Sequence, residues 1–149
     1  LAVAWSQASH WVLGVPFDML LRARQEGGQA IADFEDGVRV NVNRILYIVQ
    51  EAGLWLVALV TFFHSAMLLL AIGYAIEFAL ALELIVVPMT VVGILSLLTA
   101  RRIAAQAPTG EALLRVMVRH RFWTQVIGMV SIFVTASVGM YNLLYVPVF

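Results

Sequence analysis

The residue with the clearest capacity for chemistry is a histidine in an apolar stretch. His64 stands in the segment Thr-Phe-Phe-His-Ser-Ala-Met, and no formal charge occurs between Ala52 and Gly73. An ionisable group in such a run is costly to bury, so it indicates either a function or a satisfied hydrogen bond. His64 could bind a cofactor, as a ligand of haem iron or of the magnesium of a chlorophyll-type pigment, or it could relay a proton. A hydrogen bond between helices is the simpler interpretation.

Glu83 is the second candidate because its expected depth is close to that of His64. At 1.5 Å rise per residue, His64 is about 14 Å from Gly73, and Glu83 is about 8 Å from Phe78. If the two segments are antiparallel neighbouring helices, long side chains bridge the remaining offset of about 6 Å. One interpretation is therefore an intramembrane polar pair of His64 and Glu83. In the other, Glu83 extends to the outer interface or faces another subunit.

The other polar residues form no recognisable catalytic or metal-binding pattern. His10 and His120 lie outside the predicted membrane-spanning cores, so no pair of histidines at matching depth is predicted. The acidic cluster at residues 33–36 lacks the spacing of a calcium loop and predicts a solvated or partner-facing turn. The chain has no cysteine and no nucleotide-binding, hydrolase or metalloprotease motif. We therefore expect no enzyme activity, no catalytic residue, no metal site and no required cofactor.

Small and hydroxyl-bearing residues recur at helical spacing on two of the predicted membrane-spanning segments. They are Thr90, Gly93 and Ser96 on the second segment and Ser131, Thr135 and Gly139 on the third. The i, i+4, i+8 spacing of the second set is typical of closely packed membrane helices. We expect these residues to pack against a neighbouring helix of this chain or of another chain.

The composition identifies the class of protein. Apolar residues make up 62% of the 149 residues and charged residues 12%, with a mean hydropathy of +0.94. Soluble domains have about 45–50% apolar and about 25% charged residues. This excludes an ordinary soluble enzyme, a nucleic-acid-binding protein and a disordered tail. The lipid bilayer and other membrane-protein subunits, or copies of this chain, are the expected partners.

We predict an all-α, polytopic integral membrane protein with three transmembrane helices, at residues 54–73, 78–100 and 122–145. About 20 apolar residues cross the roughly 30 Å hydrocarbon core, so the long apolar run that begins at residue 52 must contain two helices. The sequence Gly-Tyr-Ala-Ile-Glu at residues 73–77 is the natural break between them. Residues 52–149 then form the transmembrane domain.

Residues 1–51 are predicted to be an amphipathic helical region at the interface. Tryptophans mixed with polar residues over 1–21 favour a helix lying in the interface, and the alternative is the end of a fourth span. A short helix is expected from Pro16 to about Gln25, stopped by two glycines. A second is expected over residues 30–36, ended by Gly37.

The arginines predict the orientation of the chain. All nine positive charges are arginines, and all lie in residues 22–44 or 101–121. Two predicted spans separate these blocks, so both lie on one side, which the positive-inside rule makes cytoplasmic. The C-terminus is then outside. The absence of lysine, with abundant alanine, valine and leucine, suggests a GC-rich bacterial genome, so the expected location is a bacterial inner membrane.

These features predict a non-catalytic accessory subunit of a larger multi-subunit membrane complex. One alternative is a small channel or transporter subunit that forms a pore by oligomerisation, with His64 and Glu83 lining it. A second is a membrane anchor that binds haem or a pigment through His64.

The predicted topology is testable by cysteine labelling from outside the cell, in a chain that contains no native cysteine. Cysteine at Val148 is expected to react with an impermeant reagent, and cysteine at Ala105 only after the membrane is permeabilised. If the cysteine at position 105 were labelled in intact cells and the one at position 148 were not, the predicted orientation would be wrong.

Overall fold

The computed structural model describes residues 3, 5–7 and 11–145, and the fold is all-α, with 91% of the residues in helices. His10, residues 146–149 and part of the segment 1–21 lie outside the described residues. The elements in chain order are β1 (Trp11–Val12), β2 (Val15–Pro16), α1 (Phe17–Glu26), α2 (Gly28–Leu68), α3 (Glu77–Gln106) and α4 (Gly110–Tyr145). The predicted first short helix thus appears as α1, which ends at Gly27.

Three of the helices are long and apolar enough to cross a membrane. Helix α2 continues through one π-helical turn, Leu69–Gly73, and the chain then reverses before α3. Ala75, in this reversal, has a φ of +52°. The break lies where the sequence predicts it, and all three helices continue beyond the predicted spans at their arginine-bearing ends.

The prediction that a separate helix ends at Gly37 is wrong, because α2 runs through this glycine without interruption. Phe34, Val38 and Val42 form a buried stripe at i, i+4 and i+8, with Gly37 in the middle. A glycine inside a helix costs about 1 kcal/mol relative to alanine. Burial of Phe34 and Val38 contributes about 1.5–3 kcal/mol each. This gain exceeds the cost of the glycine, so the helix continues through Gly37.

The acidic cluster at residues 33–36 is also helical, so the prediction of a turn there is wrong. Two of its carboxylates have partners on α2 itself: Asp33 accepts a hydrogen bond from Gln29, and Asp36 pairs with Arg39 at 2.6 Å. The third, Glu35, accepts the backbone N–H of Gly110 at 2.5 Å. A carboxylate at the positive end of a helix stabilises that end, so Glu35 anchors the start of α4 to α2.

The main apolar core lies at the end of the molecule formed by the two arginine-containing segments, 22–44 and 101–121, which we call the arginine-bearing end. The β1–β2 ribbon and α1 pack there against the first part of α2, the last part of α3 and the first part of α4. The largest fully buried side chains of the described residues are Phe34, Leu20, Met117 and Val38. The apolar parts of the helices instead expose large side chains, with Leu54 83% and Phe133 73% exposed. In these apolar parts, unlike in a soluble protein, most large apolar side chains are exposed.

In their apolar parts the three long helices form an open row. Helix α3 packs against α2 on one side and α4 on the other, while α2 and α4 make few contacts with each other. Of the three apolar parts, only that of α3 contacts another long helix on both sides within the described chain. Every polar side chain that holds the row together must therefore meet a residue of α3.

One glycine of α4 allows a close approach that the sequence pattern did not indicate. A Cβ atom at Gly128 would lie 2.9 Å from Cε3 of Trp5, a ring that is itself buried. The indole of the N-terminal segment therefore lies directly on the backbone of α4. Among the described residues, Gly128 packs closely against another segment, and Gly139 does not.

We expect Gly128→Ala to lower the free energy of unfolding by about 1–3 kcal/mol, because the added methyl group overlaps the Trp5 ring. Thermal unfolding of the purified protein in detergent measures the change. Gly139→Ala on the same helix is the matched control, since no described heavy atom lies within 4 Å of its Cβ position. The control should be neutral or slightly stabilising, and equal effects of the two variants would contradict the Trp5 contact.

Candidate functional site

The side chain of His64 reaches from α2 between two polar side chains of α3. Its Nδ1 atom lies 2.5 Å from Oε1 of Glu83, and its Nε2 atom lies 3.0 Å from Oγ1 of Thr90. Glu83 and Thr90 are seven residues apart, which is about two turns, so both project from the same face of α3. The side chains of His64 and Glu83 are 19% and 6% exposed. Glu83 therefore points at His64 in this structure and does not extend to the outer surface.

The hydrogen bonds around the ring determine where its protons lie. The Thr90 hydroxyl donates its single proton to the Val86 carbonyl at 2.9 Å. With its proton on that carbonyl, the hydroxyl accepts a hydrogen bond from His64, an arrangement that places a proton on Nε2. The contact between Nδ1 and Glu83 needs one further proton, because two facing lone pairs would repel each other.

Two protonation forms satisfy this arrangement. Either a protonated Glu83 donates to neutral His64, or an imidazolium donates to a carboxylate. The pair is electrically neutral in both forms, which limits the cost of burying it among apolar side chains. Chemically, the pair can hold one proton and exchange it between an imidazole nitrogen and a carboxyl oxygen.

Metal or pigment ligation by His64 would require a different arrangement. A histidine ligand offers the lone pair of one ring nitrogen to the metal. Here Glu83 and Thr90 occupy both nitrogens, so ligation would first break one of these contacts. No group of three histidine, aspartate or glutamate side chains within residues 3, 5–7 and 11–145 is arranged to hold a metal ion.

A second histidine joins α3 to the other neighbouring helix. His120 of α4 is 5% exposed, with Nδ1 3.1 Å from Oγ1 of Thr99 and Nε2 3.5 Å from Oγ of Ser96. Sequence reasoning placed His120 outside the spans and gave it no role. The spacing of Ser96 and Thr99 at i and i+3, facing the same way on a helix, was the signal that could have revealed it.

The predicted packing residues divide into two groups. Thr90 and Ser96 contact the two histidines, Ser131 is buried, and the Thr135 hydroxyl donates to the Ser131 carbonyl at 2.8 Å. Gly93 and Gly139 instead face open space, because no described heavy atom lies within 4 Å of where a Cβ atom on either residue would be. Thr90 and Ser96 thus join neighbouring helices, whereas among the described residues Gly93 and Gly139 pack against no other helix.

A cavity of about 530 Å³ lies between α3 and α4 next to the His64 pair. Its walls are almost entirely apolar, with Leu84, Val87 and Ile127 among them. Glu83 and Ser131 are its polar lining residues, and Oε2 of Glu83 and Oγ of Ser131 are buried without a hydrogen-bond partner in the described part of the chain. At the level of Glu83, α3 thus has a polar contact towards α2 and an apolar gap towards α4.

Comparison of the chain with protein families, with curated proteins and with solved structures finds no match.

A double-mutant cycle tests the energetic role of the His64–Glu83 pair. His64→Leu leaves Glu83 buried without its partner and is expected to lower the free energy of unfolding by about 1–3 kcal/mol. Adding Glu83→Leu removes the second polar group, so the double variant should be more stable than His64→Leu alone. Chemical or thermal unfolding in detergent measures the wild type, His64→Leu, Glu83→Leu and the double variant.

His64→Gln is the conservative control, since the amide keeps one donor and one acceptor. Its cost should be close to that of a hydrogen bond between membrane helices, about 0.6 kcal/mol and at most about 2. A normally folded His64→Gln protein that loses a bound chromophore or a pH-dependent flux would show that His64 has a functional role beyond packing.

Proposed function

We propose that this chain is a multi-pass membrane protein whose three long helices cross the bilayer. The proposal is supported by the inverted burial: apolar side chains cover the outside of the row, while the core lies at the arginine-bearing end. Water-soluble monomers rarely expose contiguous apolar patches of more than a few hundred Å². Lipid or neighbouring membrane helices remove this surface from water.

The distribution of charge supports an orientation for the inserted chain. The arginine-bearing end, with α1 and the first part of α2, would lie in the cytoplasm, and the reversal at residues 74–76 would lie outside. Together with the composition, this favours the inner membrane of a bacterium.

Within the membrane we propose a non-catalytic role, as an accessory subunit of a larger assembly. The observation that carries this proposal is the open row: in their apolar parts α2 and α4 each pack against one other long helix, α3, and His64 and His120 hold their helices to it. The polar groups of the spans thereby serve cohesion of the subunit. Gly93 and Gly139 leave room for close approach of helices from other subunits or from copies of this chain.

A pore-forming subunit is the second candidate, and one observation favours it. Oε2 of Glu83 is buried without a partner among the described residues, beside the cavity between α3 and α4. A carboxyl oxygen in that position could take part in proton or solute transfer in an oligomer. A haem- or pigment-binding anchor is less favoured, because Glu83 and Thr90 already occupy both nitrogens of His64.

The accessory role predicts that the open face at Gly139 holds a neighbouring helix. Gly139→Leu should reduce the apparent size of the complex extracted in mild detergent, because the larger side chain prevents close approach. Size-exclusion chromatography with light scattering measures this mass. Ser137→Leu is the matched control: Ser137 is exposed on the same helix, and its hydroxyl donates only to its own backbone, at the Phe133 carbonyl.

If Gly139→Leu leaves the mass of the complex unchanged, the face at Gly139 does not contact another subunit. An equal loss for both variants would show only that α4 tolerates no added bulk.

A further inference from the structure

A second cavity lies away from the His64 pair, at the arginine-bearing end. It occupies about 720 Å³ between α1 and the first part of α4. Its apolar wall includes Leu20 of α1 and Val118 and Phe122 of α4. Binding sites for small molecules commonly occupy about 300–1,000 Å³, so the cavity is large enough for a ligand.

The charged side chains of this cavity have an excess of positive charge. Arg24 of α1 and Arg115 and Arg119 of α4 line it together with a single carboxylate, Glu111. Glu111 lies 3.4 Å from Arg115, one helical turn away, and neutralises that arginine. Arg24 and Arg119 form no ion pair within the part of the chain that the structure describes. Two guanidinium groups therefore remain available to an anion.

The position of the cavity along α4 indicates an amphipathic ligand. Arg121 is the last charged side chain of the sequence, and the apolar run begins at Phe122. From Glu111 to Phe122 the cavity extends over eleven residues, or about 16 Å of helix. The headgroup region on each side of a bilayer is about 5–8 Å thick. The cavity therefore extends from the level of the headgroups to the start of the hydrocarbon.

We propose that this cavity binds one anionic phospholipid. Its phosphate accepts hydrogen bonds from Arg24 and Arg119, since guanidinium groups match the geometry of phosphate oxygens. The first part of an acyl chain lies against Val118 and Phe122. Basic pockets next to membrane helices on the cytoplasmic side suit such headgroups. This inference rests on the proposed insertion in a membrane.

Binding of defined lipids to the full chain tests the proposal. The protein, purified in a neutral detergent, is titrated with dioleoylphosphatidylglycerol or with zwitterionic dioleoylphosphatidylcholine, and bound lipid is counted by native mass spectrometry. We expect one phosphatidylglycerol to bind roughly 20-fold more tightly than phosphatidylcholine. Arg24→Gln and Arg119→Gln should each weaken phosphatidylglycerol binding about fivefold, the effect of about one arginine near a lipid surface.

Two further variants distinguish lipid binding in this cavity from a general attraction between the arginines and anionic lipids. Arg102→Gln removes one arginine from the end of α3, outside the cavity lining, and should leave the preference unchanged. Glu111→Gln removes the only carboxylate of the cavity and should strengthen phosphatidylglycerol binding, a gain that a folding defect cannot produce. Equal losses for Arg24→Gln and Arg102→Gln would overturn the proposal.

Two further measurements test whether the bound anion is free phosphate and whether the chain inserts in a membrane. Displacement of phosphatidylglycerol by inorganic phosphate at equal concentration would indicate a phosphate site and overturn the lipid proposal. A chain that does not float with vesicles of either lipid would contradict membrane insertion itself. A chain that floats with both but binds the two lipids equally in detergent would overturn only the lipid site.

Discussion

The arrangement of the long helices depends on pairing the polar side chains of one central helix. A buried polar group without a partner costs about 1–3 kcal/mol, so the polar contacts that α3 makes with its neighbours stabilise the row. His64 of α2 meets Glu83 and Thr90, and His120 of α4 meets Thr99 and Ser96. Sliding either outer helix by one turn would break the polar contacts of its histidine. The two rings thus determine how far α2 and α4 are displaced along α3.

The molecule uses a different source of stability at each end. At the arginine-bearing end, the ribbon, α1 and the ends of the long helices bury a compact apolar core. Arg121 adds a contact there, with its guanidinium 3.4 Å from the centre of the Phe17 ring, and Glu35 adds the bond to the start of α4. In the apolar half the hydrophobic effect does not drive helix association if lipid surrounds the row. Hydrogen bonds and close packing then supply the cohesion, which explains why the histidines lie in or near that half.

The neutrality of the His64–Glu83 pair connects this architecture to the proposed role. A lone charge in the apolar half would destabilise the row, whereas a pair that shares one proton is tolerated. Because both ring nitrogens are occupied, the same contacts that hold α2 to α3 also shield the imidazole from other ligands. This combination is what a structural subunit requires. The unpartnered oxygen of Glu83, on the side towards α4, is the feature that packing within the described chain does not use.

The sequence by itself determined that the fold is all-α and that three helices are long and apolar enough to cross a membrane. Hydropathy and helix-breaking residues are local properties, so the break at residues 73–77 and the ends of α1 were predictable. The sequence also brought His64 and Glu83 together as one interpretation, because a short reversal makes their helices antiparallel neighbours. It did not predict that Thr90 completes the contact.

Only the tertiary structure decided the features that depend on residues far apart in the chain. Gly37 is helical because Phe34 and Val38 are buried by other elements, which outweighs its local preference. Glu35 contacts Gly110, which is 75 positions away in the sequence. Gly128 contacts Trp5, which is more than a hundred positions away. His120 joins α3 although it lies outside the apolar run. Such contacts follow from how the helices are displaced and rotated against each other, and no local pattern of residues encodes that geometry.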